Sequence, residues 1–151
     1  MKRQTINATA HSTATVDEVW ALVADVSTWT EWGRWREATI EQPGTDSRGG
    51  VGAVRRFRTG RTTTRELIVA IEAPRRFSYE LLSGLPIRDY RADIALSAAP
   101  DGGTDITWCS HFEGIMPGQG GFMRMFLGRF IADCARRVAR AAEATTTTTH
   151  Q

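Results

Sequence analysis

The stretch from Thr15 to Trp35, TVDEVWALVADVSTWTEWGRW, decides how this chain folds. Thr15 is followed three residues later by Glu18, which is typical of a capping box: each side chain accepts a hydrogen bond from a free backbone N–H at the start of a helix. Valine and tryptophan then recur at helical spacing, so the predicted helix has one apolar face. Asp25 and Ser27 end this helix and cap a second, short one.

The same stretch concentrates tryptophan. Four tryptophans fall within sixteen residues, although the whole chain holds only five. We interpret such a cluster in one of two ways: the rings either wall a pocket or plug the mouth of a hydrophobic core. They are Trp20, Trp29, Trp32 and Trp35.

Length and charge bound the class of protein. A chain of 151 residues, 41% of them hydrophobic, is expected to form one domain with its own core. The net charge of +2 and the scattered arginines argue against binding to nucleic acid. No apolar run approaches the ~20 residues of a membrane span, so we expect no stable membrane insertion.

Cysteine usage and the N-terminal residues indicate the compartment. Cys109 and Cys134 lie far apart within apolar patterns and form no C-x-x-C motif. We interpret both as buried free thiols, which are typical of a reducing environment. The N-terminal residues are basic but lack the apolar run of a signal peptide. Together these features predict a cytoplasmic protein.

Seven segments alternate apolar and polar residues, as strands with one buried face do. The two short helices separate the first segment from the second, and short turns join the last six segments, with Pro100–Gly103 the clearest of these turns. Consecutive strands joined in this way are antiparallel neighbours, so we expect an antiparallel sheet with one face in water. The predicted strands span residues 3–12, 35–41, 51–58, 62–72, 76–82, 87–98 and 104–113.

A long helix is predicted from Phe122 to Ala144, because apolar residues recur there at spacings of three and four. Threonines extend a helix poorly, so residues 145–151 are expected to form a frayed Thr-rich tail. A curved sheet wrapped around one long helix leaves a gap between the two, and the short helices close one end of it. The predicted apolar stripe consists of Met123, Phe126, Leu127, Phe130, Cys134, Val138 and Ala141.

These elements, in this order, resemble the START-like, helix-grip SRPBCC superfamily, and within it the polyketide cyclase/dehydrase and lipid-transport branch. The resemblance covers residues 3–142 and departs at Ala14, where many relatives carry proline before the helix. It implies an α+β helix-grip fold, with a curved antiparallel sheet of about seven strands around a long C-terminal helix, and residues 1–144 as a single domain. It also implies a deep cavity for hydrophobic or aromatic small molecules. The motifs that carry it are VDEVWALVADVSTWTEW, Gly50–Arg55, Glu66–Pro74, Gly102–Thr104 and the aromatic last helix.

Few residues qualify for metal or covalent chemistry. His11, His111 and His150 share no short spacing with one another or with a cysteine, so no metal site is predicted. The chain has no G-x-S-x-G motif, and Cys109 has no paired histidine, which argues against a covalent nucleophile. The glycine-rich segments lack the context of a phosphate loop, and no cofactor is expected. We interpret Gly114–Gly121 as a mobile lid over the cavity.

The candidate ligand site is an aromatic wall with a few polar groups. Arg55 and Arg65 are left open: a guanidinium that points inward needs a carboxylate or an anionic ligand head as its partner, whereas one near a strand end can reach water. The predicted lining residues are Trp32, Trp35, Arg55, Arg65, Tyr79, Tyr90, Trp108, Ser110, Phe112, Phe126 and Phe130.

We therefore expect a cavity on the order of a few hundred Å³ that binds a hydrophobic or aromatic small molecule, lipid-like or polyketide-like, for carriage, storage or sensing. The alternative is an enzyme of the polyketide cyclase/aromatase kind, in which Arg55 or Arg65 stabilises an enolate and Tyr79 or Tyr90 shuttles a proton. A third hypothesis is a protein-interaction module that uses the outer face of the sheet or the Gly114–Gly121 loop. No inward histidine or carboxylate is predicted, which favours binding over catalysis; the oligomeric state is left open.

Overall fold

The computed structural model describes residues 2–149 of the chain. Seven strands and a long C-terminal helix form an α+β structure, with the short helices inserted after the first strand, so the predicted fold class is confirmed. The elements are β1 (Arg3–Ser12), α1 (Val16–Ala24), a 3-10 turn (Val26–Thr28), α2 (Trp29–Trp32), β2 (Glu37–Gln42), β3 (Val54–Thr59), β4 (Thr62–Glu72), β5 (Arg76–Ser83), β6 (Ile87–Ala98), β7 (Thr104–Gly114) and α3 (Gln119–Thr149).

All seven strands belong to one antiparallel sheet in the order β1-β7-β6-β5-β4-β3-β2. Neighbouring strands are consecutive in sequence, with one exception: the first strand, β1, pairs with the last, β7. The helix α3 packs across β1 and β7, and α1 lies against it. The space between the sheet and the N-terminal half of α3 is bordered by residues of β3 to β7.

The capping signals at the N-terminus act as predicted. The Thr15 hydroxyl accepts a hydrogen bond from the Glu18 backbone N–H at 3.3 Å, and the Glu18 carboxylate accepts one from the Thr15 N–H at 3.3 Å. Asp25 then accepts a hydrogen bond from the Ser27 N–H at 3.0 Å and starts the 3-10 turn. The 3-10 turn leads directly into α2, whose first residue, Trp29, is buried in the core.

Trp29 is the centre of an aromatic cluster and is only 1% exposed. Its indole N–H points at the carbonyl oxygens of Leu22 and Val23, each at 3.2 Å, so its polar atom is satisfied inside the core. Both interpretations of the tryptophan cluster therefore apply, because Trp29 plugs the core whereas Trp35 reaches the cavity described below. The rings whose centroids lie 5.0–5.8 Å from that of Trp29 are Trp32, Trp35, Phe57 and Trp108.

The buried face of α3 is rotated from the predicted stripe. Phe126 was expected in its middle but is 55% exposed, and Phe130 is half-buried at its edge. Small alanines let the helix approach β1 closely, so the buried face runs through them rather than through the bulkiest residues. Between residues 119 and 145, the buried residues of α3 are Met123, Leu127, Ile131, Cys134, Ala135, Val138, Ala139 and Ala142.

The helix α3 is also longer than predicted at both ends. It continues to Thr149 instead of ending at Ala144, and the Thr145 hydroxyl donates to the Ala141 carbonyl at 3.0 Å, a bond that lets threonine fit a helix. Residues 150–151 of the predicted tail lie outside the described residues. At the other end, the Gln119 side chain accepts the N–H groups of Ile115 and Met116 at 3.0 and 3.1 Å and ties down the preceding loop.

Candidate ligand-binding site

A cavity of about 270 Å³ lies between α3 and the inner faces of β4 to β7, and Thr59 and Thr62 of the β3–β4 hairpin also line it. Its volume is near the lower end of the range for small-molecule sites. Six of its fifteen lining residues are aromatic, and its threonine, glutamate and tyrosine side chains lie on the sheet side. The lining residues are Trp35, Thr59, Thr62, Thr64, Glu66, Tyr79, Leu81, Leu85, Tyr90, Trp108, Phe126, Leu127, Phe130, Ile131 and Cys134.

Six of the predicted residues meet at this cavity: Trp35, Tyr79, Tyr90, Trp108, Phe126 and Phe130. Three others point inward but lie behind the wall. Trp32 and Phe112 are 5% and 0% exposed and pack in the core, and Ser110 is 2% exposed. The Ser110 hydroxyl lies near that of Tyr90, although no hydrogen bond to a described residue satisfies it.

The prediction that Arg65 contributes to the cavity is wrong. Arg65 lies on the outer face of β4, where its half-exposed guanidinium pairs with the Glu41 carboxylate, with Nε 2.9 Å from Oε2. Both faces of β4 carry apolar residues, for example Leu67 outside and Ile68 inside. Periodicity alone therefore did not distinguish the inner face, and the face that holds Arg65 and Leu67 is the outer one.

Arg55, in contrast, points inward and is 1% exposed, but it lies behind the cavity wall and does not line the cavity itself. Its Nη2 donates to Oε1 of Glu66 at 2.8 Å, so the carboxylate that a buried arginine needs is present. Its Nε and Nη1 atoms are buried and have no hydrogen-bond partner among the described residues. Aromatic faces surround the guanidinium instead, an arrangement that attracts a desolvated cation. The Cζ atom lies 4.4, 4.9, 5.0 and 5.0 Å from the ring centroids of Trp29, Tyr79, Phe57 and Phe77.

Glu66 is the charged residue of the cavity wall, and sequence reasoning missed it. It stands directly opposite Arg55 in the pairing of β3 with β4, and directly opposite residues share one face of a sheet. Counting back from the hairpin at Thr59 and Thr62 pairs these two residues, so the signal was present in the sequence. Burial raises the pKa of the Glu66 carboxyl, and the charge of Arg55 opposes that rise. The expectation of no inward carboxylate is therefore wrong.

Two tyrosine hydroxyls accompany Glu66. The indole N–H of Trp108 donates to the Tyr79 hydroxyl at 3.1 Å, and the rings of Tyr79 and Tyr90 lie 6.4 Å apart. Burial, the largest cause, together with the nearby Glu66 carboxylate raises the pKa of Tyr90; burial likewise raises that of Tyr79. Both hydroxyls are protonated at neutral pH, so both are available as hydrogen-bond donors.

Other chemistry has little support at this cavity. Burial raises the pKa of the Cys134 thiol, which keeps it neutral and a poor nucleophile. Across residues 2–149, no group of three or more His, Cys, Asp and Glu side chains could hold a metal ion. Within the same residues, no helix has the length and apolarity that crossing a membrane requires.

A second concave surface lies outside the cavity, along the exposed side of α3. This groove of about 480 Å³ is open to solvent, and Phe126 and Phe130 separate it from the cavity. It is lined by Arg34, Phe122, Met125, Phe126, Arg129, Phe130 and Asp133.

Solved structures share the whole architecture at low sequence identity. A START superfamily protein from Mycobacterium smegmatis aligns with a TM-score of 0.76 and 13% identity, covering 96% of this chain and 98% of the other. A norcoclaurine synthase point mutant from Thalictrum flavum, in complex with a transition state analogue, aligns with a TM-score of 0.74 and 12% identity, covering 96% and 97%. The XoxI protein from Bacillus cereus aligns with a TM-score of 0.71 and 17% identity, covering 93% and 95%. At these identities the likeness establishes the fold.

The sequence itself identifies the family. No curated protein matches this chain. The family described as polyketide cyclase / dehydrase and lipid transport, however, matches residues 3–143, which is nearly the whole sequence. The match agrees with the helix-grip fold and with the cavity beneath α3. The chain therefore belongs to the polyketide cyclase / dehydrase and lipid transport family.

Proposed function

We propose that the protein binds an apolar or aromatic small molecule, lipid-like or polyketide-like, in the cavity beneath α3, for carriage, storage or sensing. The observation that carries the proposal is a cavity of about 270 Å³ walled by the rings of Trp35, Trp108 and Phe130. A ligand there exchanges water contacts for aromatic surface, a gain of about 25 cal/mol for each Å² of apolar area removed from water. Membership of a family that includes lipid transport supports the same function.

Binding of an uncharged fluorescent probe, N-phenylnaphthylamine, tests this proposal. We expect its emission to rise and shift to the blue in the presence of the protein, with a saturable dependence on concentration. Leu81 lines the cavity, whereas its neighbour Leu82 is 52% exposed and does not. Leu81→Trp fills the cavity and should weaken binding at least about tenfold, and the matched control Leu82→Trp should leave it unchanged. Equal affinities for the two variants would refute binding in the cavity.

A cyclase-type enzyme is the second candidate, and Glu66 is the observation that favours it. An acid–base reaction needs a proton acceptor and a hydrogen-bond donor that converge on one substrate. The Glu66 carboxylate could take a proton from a carbon next to a ketone, while the electron pair moves to the ketone oxygen and a Tyr79 or Tyr90 hydroxyl donates a hydrogen bond to that oxygen. Arg65 has no part in this scheme, and Arg55 acts only by holding Glu66.

Exchange of the methyl protons of 2-acetylnaphthalene for deuterium, followed by NMR, distinguishes this enzyme from a carrier. An enzyme accelerates the exchange above the rate in buffer, and Glu66→Gln abolishes the acceleration without abolishing binding. A carrier binds the ketone and leaves the exchange rate at its buffer value.

The cellular setting is also a proposal. We propose that the protein works in the cytoplasm, without nucleic acid as a partner. Two free cysteines, Cys109 and the buried Cys134, support a reducing compartment. The small net charge of +2 supports the absence of a nucleic-acid partner.

A further inference from the structure

We propose that Glu66 selects the ligand of this cavity, and that the ligand is an uncharged aromatic molecule whose polar end donates a hydrogen bond, such as a phenol, rather than a lipid with a carboxylate head. The inference rests on the proposed binding function and adds the chemical class of the ligand. It follows from three properties of the cavity: one unused acceptor, a balanced charge and a limited size.

The unused acceptor belongs to Glu66. Its Oε1 accepts the hydrogen bond from Arg55, whereas Oε2 accepts none from any described residue. The carboxylate lines the cavity, and its side chain is 14% exposed, so the open space reaches it. A ligand that shields this oxygen from water without donating a hydrogen bond leaves an unpaired acceptor, which is costly, whereas a ligand that donates a hydrogen bond avoids that cost.

The charge of the pair disfavours ionised ligands. The guanidinium of Arg55 balances the carboxylate, so the polar end of the cavity carries no net charge. A carboxylate ligand would meet the Glu66 carboxylate first, because the free Nε and Nη1 of Arg55 are enclosed behind aromatic rings. A cationic ligand would place a second positive charge close to Arg55. An uncharged donor satisfies the acceptor and adds no charge to the interior.

The walls and the volume define the rest of the ligand. Rings of Trp35, Tyr90 and Trp108 present flat surfaces that suit an aromatic partner. A space of about 270 Å³ is small for a ligand site, which favours one or two fused rings over a long acyl chain. The Tyr79 hydroxyl already accepts the indole N–H of Trp108, so the Glu66 oxygen is the strongest acceptor left for the ligand.

Three naphthalenes of equal ring size test the inference by isothermal titration calorimetry at neutral pH. 2-Naphthol is uncharged and donates a hydrogen bond, 2-methoxynaphthalene can only accept one, and 2-naphthoate is an anion. We expect 2-naphthol to bind at least about tenfold more tightly than either of the others, because it alone donates a hydrogen bond to the charged Glu66 acceptor. Equal affinities for 2-naphthol and 2-methoxynaphthalene would overturn the inference and leave the proposed function standing. If none of the three binds, the proposed function fails and the inference fails with it.

The variant Glu66→Gln tests the residue. With its amide oxygen towards Arg55, the glutamine presents an N–H group to the cavity, so the preference should invert and favour 2-methoxynaphthalene over 2-naphthol. Glu80→Gln makes the same change at a residue that does not line the cavity and should keep the parental preference. An unchanged preference in Glu66→Gln would refute the role of Glu66. The comparison of the three naphthalenes in the parent protein needs no variant, so it decides the ligand class even if the substitution prevents folding.

Discussion

The pair formed by Arg55 and Glu66 makes a sharp prediction about stability. Glu66→Leu removes the carboxylate and leaves a guanidinium that is 1% exposed without any charged partner. Breaking a buried ion pair from one side costs about 3–5 kcal/mol. The aromatic rings around the guanidinium are present in both proteins, so they do not change this difference. We therefore expect Glu66→Leu to lower the free energy of unfolding by about 3–5 kcal/mol.

Removing Arg55 should lower the stability of the protein less than removing Glu66. Arg55→Met leaves the Glu66 carboxylate at the edge of a cavity that water can enter, and the carboxyl can also take up a proton. We expect a loss of about 1–3 kcal/mol from this change. In the double variant Arg55→Met with Glu66→Leu, neither charge is left alone, and apolar replacements of buried pairs are often neutral or stabilising. Its stability should lie within about 1 kcal/mol of the parent.

Urea unfolding, followed by tryptophan fluorescence, measures all four proteins and yields the coupling between the two side chains. The double variant should be more stable than Glu66→Leu alone, with a coupling energy of at least about 2 kcal/mol. Additive losses, with a coupling below about 0.5 kcal/mol, would show that the buried pair is not the interaction described here. A double variant at or above parental stability would mean that the pair is retained for its role at the cavity and not for folding.

Two further predictions concern the helix and the surface. Leu127→Ala should lower the free energy of unfolding by about 2–5 kcal/mol, whereas Phe126→Ala, at a side chain that is 55% exposed, should cost less than about 1 kcal/mol; equal losses in urea melts would mean that the helix is rotated from the arrangement described. Hydrogen bonds to Asp105 and Asp101 raise the pKa of His11 above 6.5. The stabilisation from His11 is therefore complete below pH 6.5 and is lost as the pH rises through the higher folded-state pKa. Thermal melts should show this decline in the parent, and a decline of the same size in His11→Gln would contradict it.

Local signals in the sequence were sufficient to predict the fold. The Thr15–Glu18 capping box, the alternation along each strand and the turns between them identified seven strands in the right order and the helix that covers them. The face of α3 that is buried was harder to predict, because the bulky residue Phe126 lies beside a face packed mainly through alanines such as Ala135 and Ala139. Apolarity alone does not tell a residue that touches the core from one that borders a cavity.

The site was only partly predictable, for two physical reasons. Alternation assigns a residue to a face but not to a depth, so Trp32 and Phe112 were predicted at the cavity although they pack behind its wall. On β4, both faces are partly apolar, so the inward position of Glu66 and the outward position of Arg65 required the register of the β3–β4 hairpin. Pairing Arg55 with the residue opposite it would have identified Glu66.

A crystal structure of the protein grown with 2-naphthol tests the central claim most directly. We expect electron density for the naphthalene ring inside the cavity, against Trp35 and Tyr90, with its hydroxyl within hydrogen-bond distance of Glu66 Oε2. Density in the open groove beside Phe122 and Met125, with the cavity beneath α3 empty, would contradict it.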